Sequence, residues 1–493
     1  MRIFYRGVQK LLCLLLSLTW IHPAYSQEPV SLPQAMEVAR NNSPDILRAK
    51  MSLEASEERL KAQNAALKSR FSLTLEPILY DRSDEFNAFF STFNRTETVQ
   101  SSGLFLVSQP IVPTDGTLSL RNQFSWRDVT SEFGSAQNRS FSNNLFLTYQ
   151  QPIFTYNRTK LDLRDVELDL ENTQINYSLQ ELLLEVQVAQ AFYGAFRQKM
   201  SLQVSQEEYQ NTQRSYQIIE NKVSAGLAAR EELYQAELNL TSSRSTVQNN
   251  QVAMENSLDD FKRLIGMPIS EEISVVAEVT QEPVEVNLDK AIEFALKNRQ
   301  ELRQRKINIQ SAKANLTRSS AVNEFRGDIN LSYGIFGNDE EFSRLYDKPT
   351  ENQRVSLSLE IPLYDWGERK SRIRAAEVSV ESSNLSLEEE KTGIIIDIRK
   401  AYRNLENQVI QIEIAQQNVR TAQLTYDINL ERYENGDLTS MDLNQFQTQL
   451  SAKKIGLVEA LINYKLALLD LKVKSLWDFE RNQPVLIGNQ DEN

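Results

Sequence analysis

The sequence predicts a mainly α-helical chain with a membrane β-barrel portion, duplicated in tandem, and three observations lead there. Residues 158–225 and 368–435 are two 68-residue stretches with no Pro and a single Gly each, Gly194 and Gly393. Between the helical stretches, apolar and polar residues alternate with period two. The whole pattern then occurs a second time.

The duplication is read from matched segments. Val30-Ser31-Leu32-Pro33-Gln34-Ala35-Met36-Glu37-Val38-Ala39 aligns with Val286-Asn287-Leu288-Asp289-Lys290-Ala291-Ile292-Glu293-Phe294-Ala295 at an offset of 256. Gln151-Pro152-Ile153-Phe154 aligns with Ile361-Pro362-Leu363-Tyr364, and Gly226 with Gly436, both at an offset of 210. The first copy therefore holds 46 additional residues between about 71 and 150. Each copy reads as helix, strand region, very long helix, Gly turn, helix. The domains expected are a first repeat over 27–265 with barrel strands within 71–154, an equatorial linker over 266–287, a second repeat over 288–478 with strands within 327–364, and a polar tail over 479–493.

Each 68-residue stretch would make a helix about 100 Å long. The flanking helical stretches, 34–70 with 227–265 and 288–326 with 437–475, are each near 38 residues. Two short helices end to end thus match one long one. Ile398, Leu405, Ile412, Val419, Tyr426 and Tyr433 recur every seven residues, beside Tyr402, Val409, Gln416, Gln423 and Leu430. Leu202, Tyr209, Tyr216 and Val223 are expected to form the matching seam of the first copy. A sustained heptad imposes left-handed supercoiling, although an ordinary bundle core explains the stripe equally well. The polar seam positions suggest a wall with one wet side.

In the strand regions Phe71, Leu73 and Leu75 alternate with Ser72, Thr74 and Glu76. Ile329, Leu331, Tyr333 and Ile335 alternate with Asp328, Asn330, Ser332 and Gly334, and Val355, Leu357 and Leu359 with Arg354, Ser356 and Ser358. Such dyads suit transmembrane strands, and a soluble half-buried sheet gives the same pattern. Aromatic residues at the strand ends, Phe154 with Tyr156 and Tyr364 with Trp366, favour membrane and mark the lipid interface. Two strands per copy give four per chain, too few to close a barrel, and open edges are not tolerated in lipid, so other copies must complete it. The additional residues contain further alternating stretches, 104–111 and 117–126. These fit an extracellular hairpin, extra barrel strands or a periplasmic elaboration.

Residues 11–21 form an uninterrupted apolar run, well short of the roughly 20 a spanning helix needs. Arg2, Arg6 and Lys10 precede it and Ala24-Tyr25-Ser26 follows, which reads as a secretory signal peptide over 1–26. Cleavage there removes the single Cys, Cys13, and the single His, His22. Without them a disulfide, a thiol nucleophile, a Ser-His-Asp relay and a His/Cys zinc site are all excluded. The chain is expected to have no catalytic set, cofactor or metal; Glu388-Glu389-Glu390 reads as a solvated helix face. The formal net charge is −13, and loss of the leader makes it −16, which argues against nucleic acid as a partner.

With the repeat starts and Asn42-Ser43-Pro44-Asp45, the motif Ile361-Pro362-Leu363-Tyr364-Asp365-Trp366-Gly367-Glu368-Arg369 and the segment Arg432-Tyr433-Glu434-Asn435-Gly436, the chain resembles the TolC-like outer-membrane efflux proteins over essentially its whole mature length. Each motif is weak alone; their order, duplication and spacing are specific. The first copy departs from the pattern, with Thr155-Tyr156-Asn157 where the second has Asp365-Trp366-Gly367. The resemblance implies a homotrimer whose twelve strands form one barrel in outer-membrane lipid and whose helices form a periplasmic tunnel. It also implies docking on a periplasmic adaptor (membrane fusion) protein and an inner-membrane pump, and passive export. A periplasmic coiled-coil adaptor is the competing reading, but an adaptor has one hairpin flanked by compact β-domains, and this sequence has two hairpins.

Gly226 and Gly436, with the neighbouring Leu227 and Leu438, are the expected periplasmic tips that meet the adaptor. An acid stands six residues after each tip glycine, Glu232 and Asp442. The resemblance implies that Asp442 lines the tunnel entrance; a cap on the returning helix is the alternative. The family's usual second acid is replaced by Gln445, and Tyr433 and Arg432 are placed to hold the closed state by interhelix hydrogen bonds.

Overall fold

The computed structural model describes residues 28–89, 91–131, 134–279 and 284–485. The expected leader and the end of the polar tail lie outside the described residues. The chain divides into two compact units, one formed by Lys50–Tyr177 and Arg299–Gly393, the other by Met1–Ala49, Ser178–Asn298 and Ile394–Asn493.

The first unit holds a six-stranded antiparallel meander. Its strands are β2 (Arg70–Asn87), β3 (Thr92–Ile111), β4 (Gly116–Ser131), β5 (Gly134–Ile153), β7 (Arg326–Asp339) and β8 (Thr350–Glu360), hydrogen-bonded in that order. The expectation of two strands in the first copy is corrected here: the additional residues form β3 and β4, inserted between β2 and β5. The 210 offset located the insertion but carried no information on whether it joined the sheet. Register decides that, since Phe71 pairs with Val107, Val107 with Leu120, Leu120 with Leu147, Leu147 with Tyr333 and Leu331 with Val355. Opposed residues share a face, so one face carries an apolar row across all six strands, interrupted elsewhere by Asn122 and Asn143. The other carries Ser72, Ser108, Ser119, Thr148, Ser332 and Arg354. Edge strand β2 has a bulge between Glu76 and Leu79 at Pro77, where an edge tolerates the missing N–H. The loop between β7 and β8 folds over the apolar face, with Phe342 edge-on to Phe124 and Phe141.

The strands are flanked at one end by helices. Helix α2 (Pro44–Ala66) precedes β2 and α6 (Gln300–Ser320) precedes β7, while α3 (Arg158–Ser224) follows β5 and α7 (Glu368–Asn435) follows β8. The last two, of 67 and 68 residues, continue from this unit into the other. In the first unit α6 is tied to α3 by charge: Arg303 grips Glu171, and Arg318 takes Asp162 and Asp165.

In the second unit α1 (Leu32–Asn42) and α5 (Leu288–Asn298) begin the two repeats, followed by the returning helices α4 (Arg230–Ile265) and α8 (Ser440–Ser475). Ala35, Ala39, Ala291 and Ala295, equivalent at the 256 offset, are all fully buried. Short strands β1 (Glu28–Val30) and β6 (Ile273–Val275) pair in parallel, β6 lying within the expected linker. The helical stretches expected at 34–70 and 288–326 are each broken. In the first, Pro44 holds Ser43 at φ −59°, ψ 129°, away from helical geometry. In the second, Arg299 takes the extended conformation.

Ile398, Leu405, Ile412, Tyr426 and Tyr433 of the expected second-copy seam are buried, and Val419 is half-buried. In the first copy the buried row is Ser205, Thr212 and Ile219, whereas Leu202, Tyr209, Tyr216 and Val223 are only half-buried. The hydroxyls explain the shift: Ser205 donates to the carbonyl of Leu202 and Thr212 to that of Glu208, so these small side chains enter a core with their donors satisfied.

Candidate functional site: the paired helical turns

Helix α3 ends at Ser224 and α7 at Asn435, each with a glycine in the left-handed region, Gly226 at φ +74° and Gly436 at φ +92°. A side chain would be strained there. Gly226 N–H donates to Val223 and Leu227 N–H to Lys222; Gly436 N–H donates to Tyr433 and Asp437 N–H to Arg432. Both turns therefore close as Schellman motifs that satisfy the last helical carbonyls. Leu227 is left 78% exposed, while Leu438 packs on the cluster of Tyr426, Tyr433, Leu443 and Leu450.

Tyr433 is the centre of this end of the unit. Its ring is buried, and its hydroxyl donates 3.1 Å to the carbonyl of Ser215 on α3. Burial pushes the phenol up to about 12, helped by the negative charge of Glu232 and partly offset by a hydrogen bond with Ser440. Lys222 of α3 donates 2.7 Å to the carbonyl of Tyr433, and its ammonium lies 5.4 Å from that ring's centroid. A cation from one long helix thus serves the negative C-terminal end of the other. Arg214 of α3 and Glu434 of α7 form an exposed ion pair at 3.1 Å.

The Arg432 side chain donates to Asn429 of its own helix at 3.3 Å. Lys222, its counterpart at the 210 offset, makes the interhelix bond instead. A reading of the repeat that compared the two copies at this position would have found it, since Lys222 is the only basic residue in the last turn of α3.

On the returning helices, Thr439 caps α8 by accepting the N–H of Asp442 at 3.2 Å, and its hydroxyl donates 2.7 Å to the Asp442 carboxylate. Asp442 and Gln445, one turn apart, are both exposed. The first copy has Ala229 at the capping position, with no side-chain bond, and Glu232 is half-buried in the first turn of α4. Glu232, Asp442 and Glu434 thus stand beside the turns, with Glu434 paired to Arg214.

The aromatic residues expected at a lipid interface lie at the helical ends of the strands. Tyr364 and Trp366 pack edge-on at 4.7 Å and are 73% and 88% exposed. Phe154 packs against Phe325 with ring centroids 5.2 Å apart, and Tyr156 is half-buried.

Residues 35–267 and 291–473 match the family model for the outer membrane efflux protein. The chain belongs to that family. It is 22% identical to the outer membrane protein TolC of Escherichia coli over 381 residues, 74% of each chain. It shares its fold with the CmeC outer membrane channel of Campylobacter jejuni, TM-score 0.68 at 13% identity, over 94% of this chain and 87% of that one. The outer membrane protein VceC of Vibrio cholerae superposes with TM-score 0.65 at 13% identity, over 92% and 97% of the two chains. This efflux-family chain is an outer-membrane exit channel serving an efflux or type I secretion system.

Proposed function

We propose that three copies of this chain form one passive duct, with the sheets joined in a single outer-membrane barrel and the long helices in a periplasmic tunnel. The observation that carries this is the open sheet: among the described residues both β2 and β8 lack a strand partner on one side, one face is mainly apolar, and lipid does not tolerate such edges. The turns at Gly226 and Gly436 are the tip that meets a periplasmic adaptor, fed in turn by an inner-membrane pump. Exposed Leu227, Met441 and Asp442 support that assignment. Asp442 of each copy lines the entrance, giving a ring of three carboxylates that attracts cations. The network of Lys222, Tyr433 and Ser215 keeps α3 and α7 together and holds the entrance closed.

Cysteines at Leu227 and Leu438 test the orientation. In cells that express the cognate adaptor, both should crosslink to it. Crosslinking confined to cysteines near the strands, such as Trp366→Cys, would invert the chain and remove the tip assignment.

A further inference from the structure

We infer that the barrel is closed by eighteen strands, six from each of three copies, and that the inserted hairpin β3–β4 is part of its wall. This rests on the shared-barrel reading above and departs from the twelve strands that the family resemblance implies.

The hairpin does not sit beside the sheet. It separates β2 from β5, pairing with β2 continuously from Arg70 opposite Ser108 to Glu76 opposite Ser102, and with β5 from Thr117 opposite Gln150 to Val129 opposite Asn138. Its apolar residues, Phe105, Val107, Leu118, Leu120 and Phe124, lie on the same face as Leu73, Leu147 and Leu331. From Tyr149 to Phe141, with Asn143 the polar residue between, this face extends about 27 Å along β5, the scale of a bilayer's apolar band. A hairpin lying outside the wall would have no reason to keep one lipid-compatible face in register with four other strands.

The strand count also suits closure. Six is even, so β8 of one copy runs antiparallel to β2 of the next, and α2 and α7 leave the seam at the same end. At that end the β3–β4 turn is bonded to the approach to α3 and to β5: Asn157 donates to the carbonyl of Val112 at 2.7 Å and Gln151 of β5 to that of Thr114 at 2.6 Å. Barrel diameter grows roughly linearly with strand number, so the lumen would be about one and a half times as wide as a twelve-strand barrel.

Disulfide mapping in outer-membrane vesicles tests this. One set of double variants places cysteines on β2 and β8, at Ser72 or Thr74 with Ser356 or Ser358. A second joins Ser125→Cys to Ser142→Cys, whose hydroxyls lie 2.6 Å apart. A third joins Ser72→Cys to Phe146→Cys, which three strand spacings hold about 14 Å apart, beyond disulfide reach. Eighteen strands predict a ladder ending in a covalent trimer for the first set, an internal link for the second and none for the third. A covalent trimer with the internal Ser72–Phe146 link would mean that β2 pairs directly with β5 in a twelve-strand wall, overturning the inference while leaving the trimeric duct standing. A ladder ending at a covalent dimer, or an internal β2–β8 link, would overturn both.

Discussion

Asp115, in the turn between β3 and β4, accepts the backbone N–H of Thr159 at 2.9 Å and that of Arg158 at 3.2 Å, so a residue of the inserted hairpin caps the first long helix. The second long helix is capped from its own leading segment, where Asp365 accepts the N–H groups of Gly367 and Arg369, each at 3.0 Å. At the 210 offset Asp365 corresponds to Thr155, which cannot serve as an anionic cap and bonds Glu324 instead. The first long helix is thus capped both by its own Asn157, which accepts the N–H of Lys160 at 2.7 Å, and by the hairpin. The acid missing from the first copy is supplied from 40 residues earlier.

Asp115→Ala should destabilise the start of α3 by about 1 kcal/mol, the usual cost of losing a cap. The amides of Arg158 and Thr159 should then exchange with deuterium faster, with the strands unchanged. Adding Thr155→Asp should restore much of the protection, because it recreates the arrangement at Asp365. Unaltered exchange in the single variant would show that the Asp115 bonds do not support the helix.

Acid should loosen the start of α7. The N–H groups of Arg369 and Gly367 hold the Asp365 carboxyl below its usual range. A carboxylate whose folded pKa is depressed contributes stability present above the unfolded value, about 3.9, and lost as pH falls through the lower folded value. Amide exchange at Gly367 and Arg369 should therefore rise below about pH 4, and Asp365→Asn should abolish this dependence. A pH response that survives in the variant belongs to another group.

Tyr433→Phe should weaken the junction of α3 and α7 by about 1 kcal/mol, through loss of the bond to the Ser215 carbonyl. In bilayers the variant should open more often than the parent. Base should act in the same direction: with the folded phenol at about 12, the stabilisation is complete below the unfolded value near 10 and disappears as pH climbs toward 12. A spectrophotometric titration in which Tyr433→Phe removes no late-ionising phenol would contradict this placement.

Asp442→Asn separates the two roles of that residue, since the amide keeps an oxygen for the Thr439 hydroxyl and loses the charge. If Asp442 lines the entrance, reversal-potential measurements should show lower cation selectivity and weaker block by trivalent cations. Unchanged selectivity would leave Asp442 as a helix cap alone.

The helices and the repeat were legible in the sequence because they rest on strong, extended signals: Pro-free stretches of 68 residues, a constant offset and Gly at both turns. The second-copy seam was legible because its residues are large and apolar. The first-copy seam was not, since Ser205 and Thr212 look polar until their hydroxyls are seen to bond their own helix. The added strands were visible as alternation over 104–111 and 117–126 but could not be placed, because register depends on partners far away in sequence. At the candidate site, the long-range bonds of Lys222 and Arg214 depend on how two helices are rotated against one another. Periodicity alone does not fix that to within a residue.

The most direct test of a duct shared between copies is single-channel recording on the SDS-resistant oligomer extracted without heating, set beside the same material after boiling. A duct built from three open sheets predicts that the unheated trimer forms cation-preferring channels and that the boiled monomer forms none. Channels of equal conductance from the monomer, or a silent trimer, would contradict it.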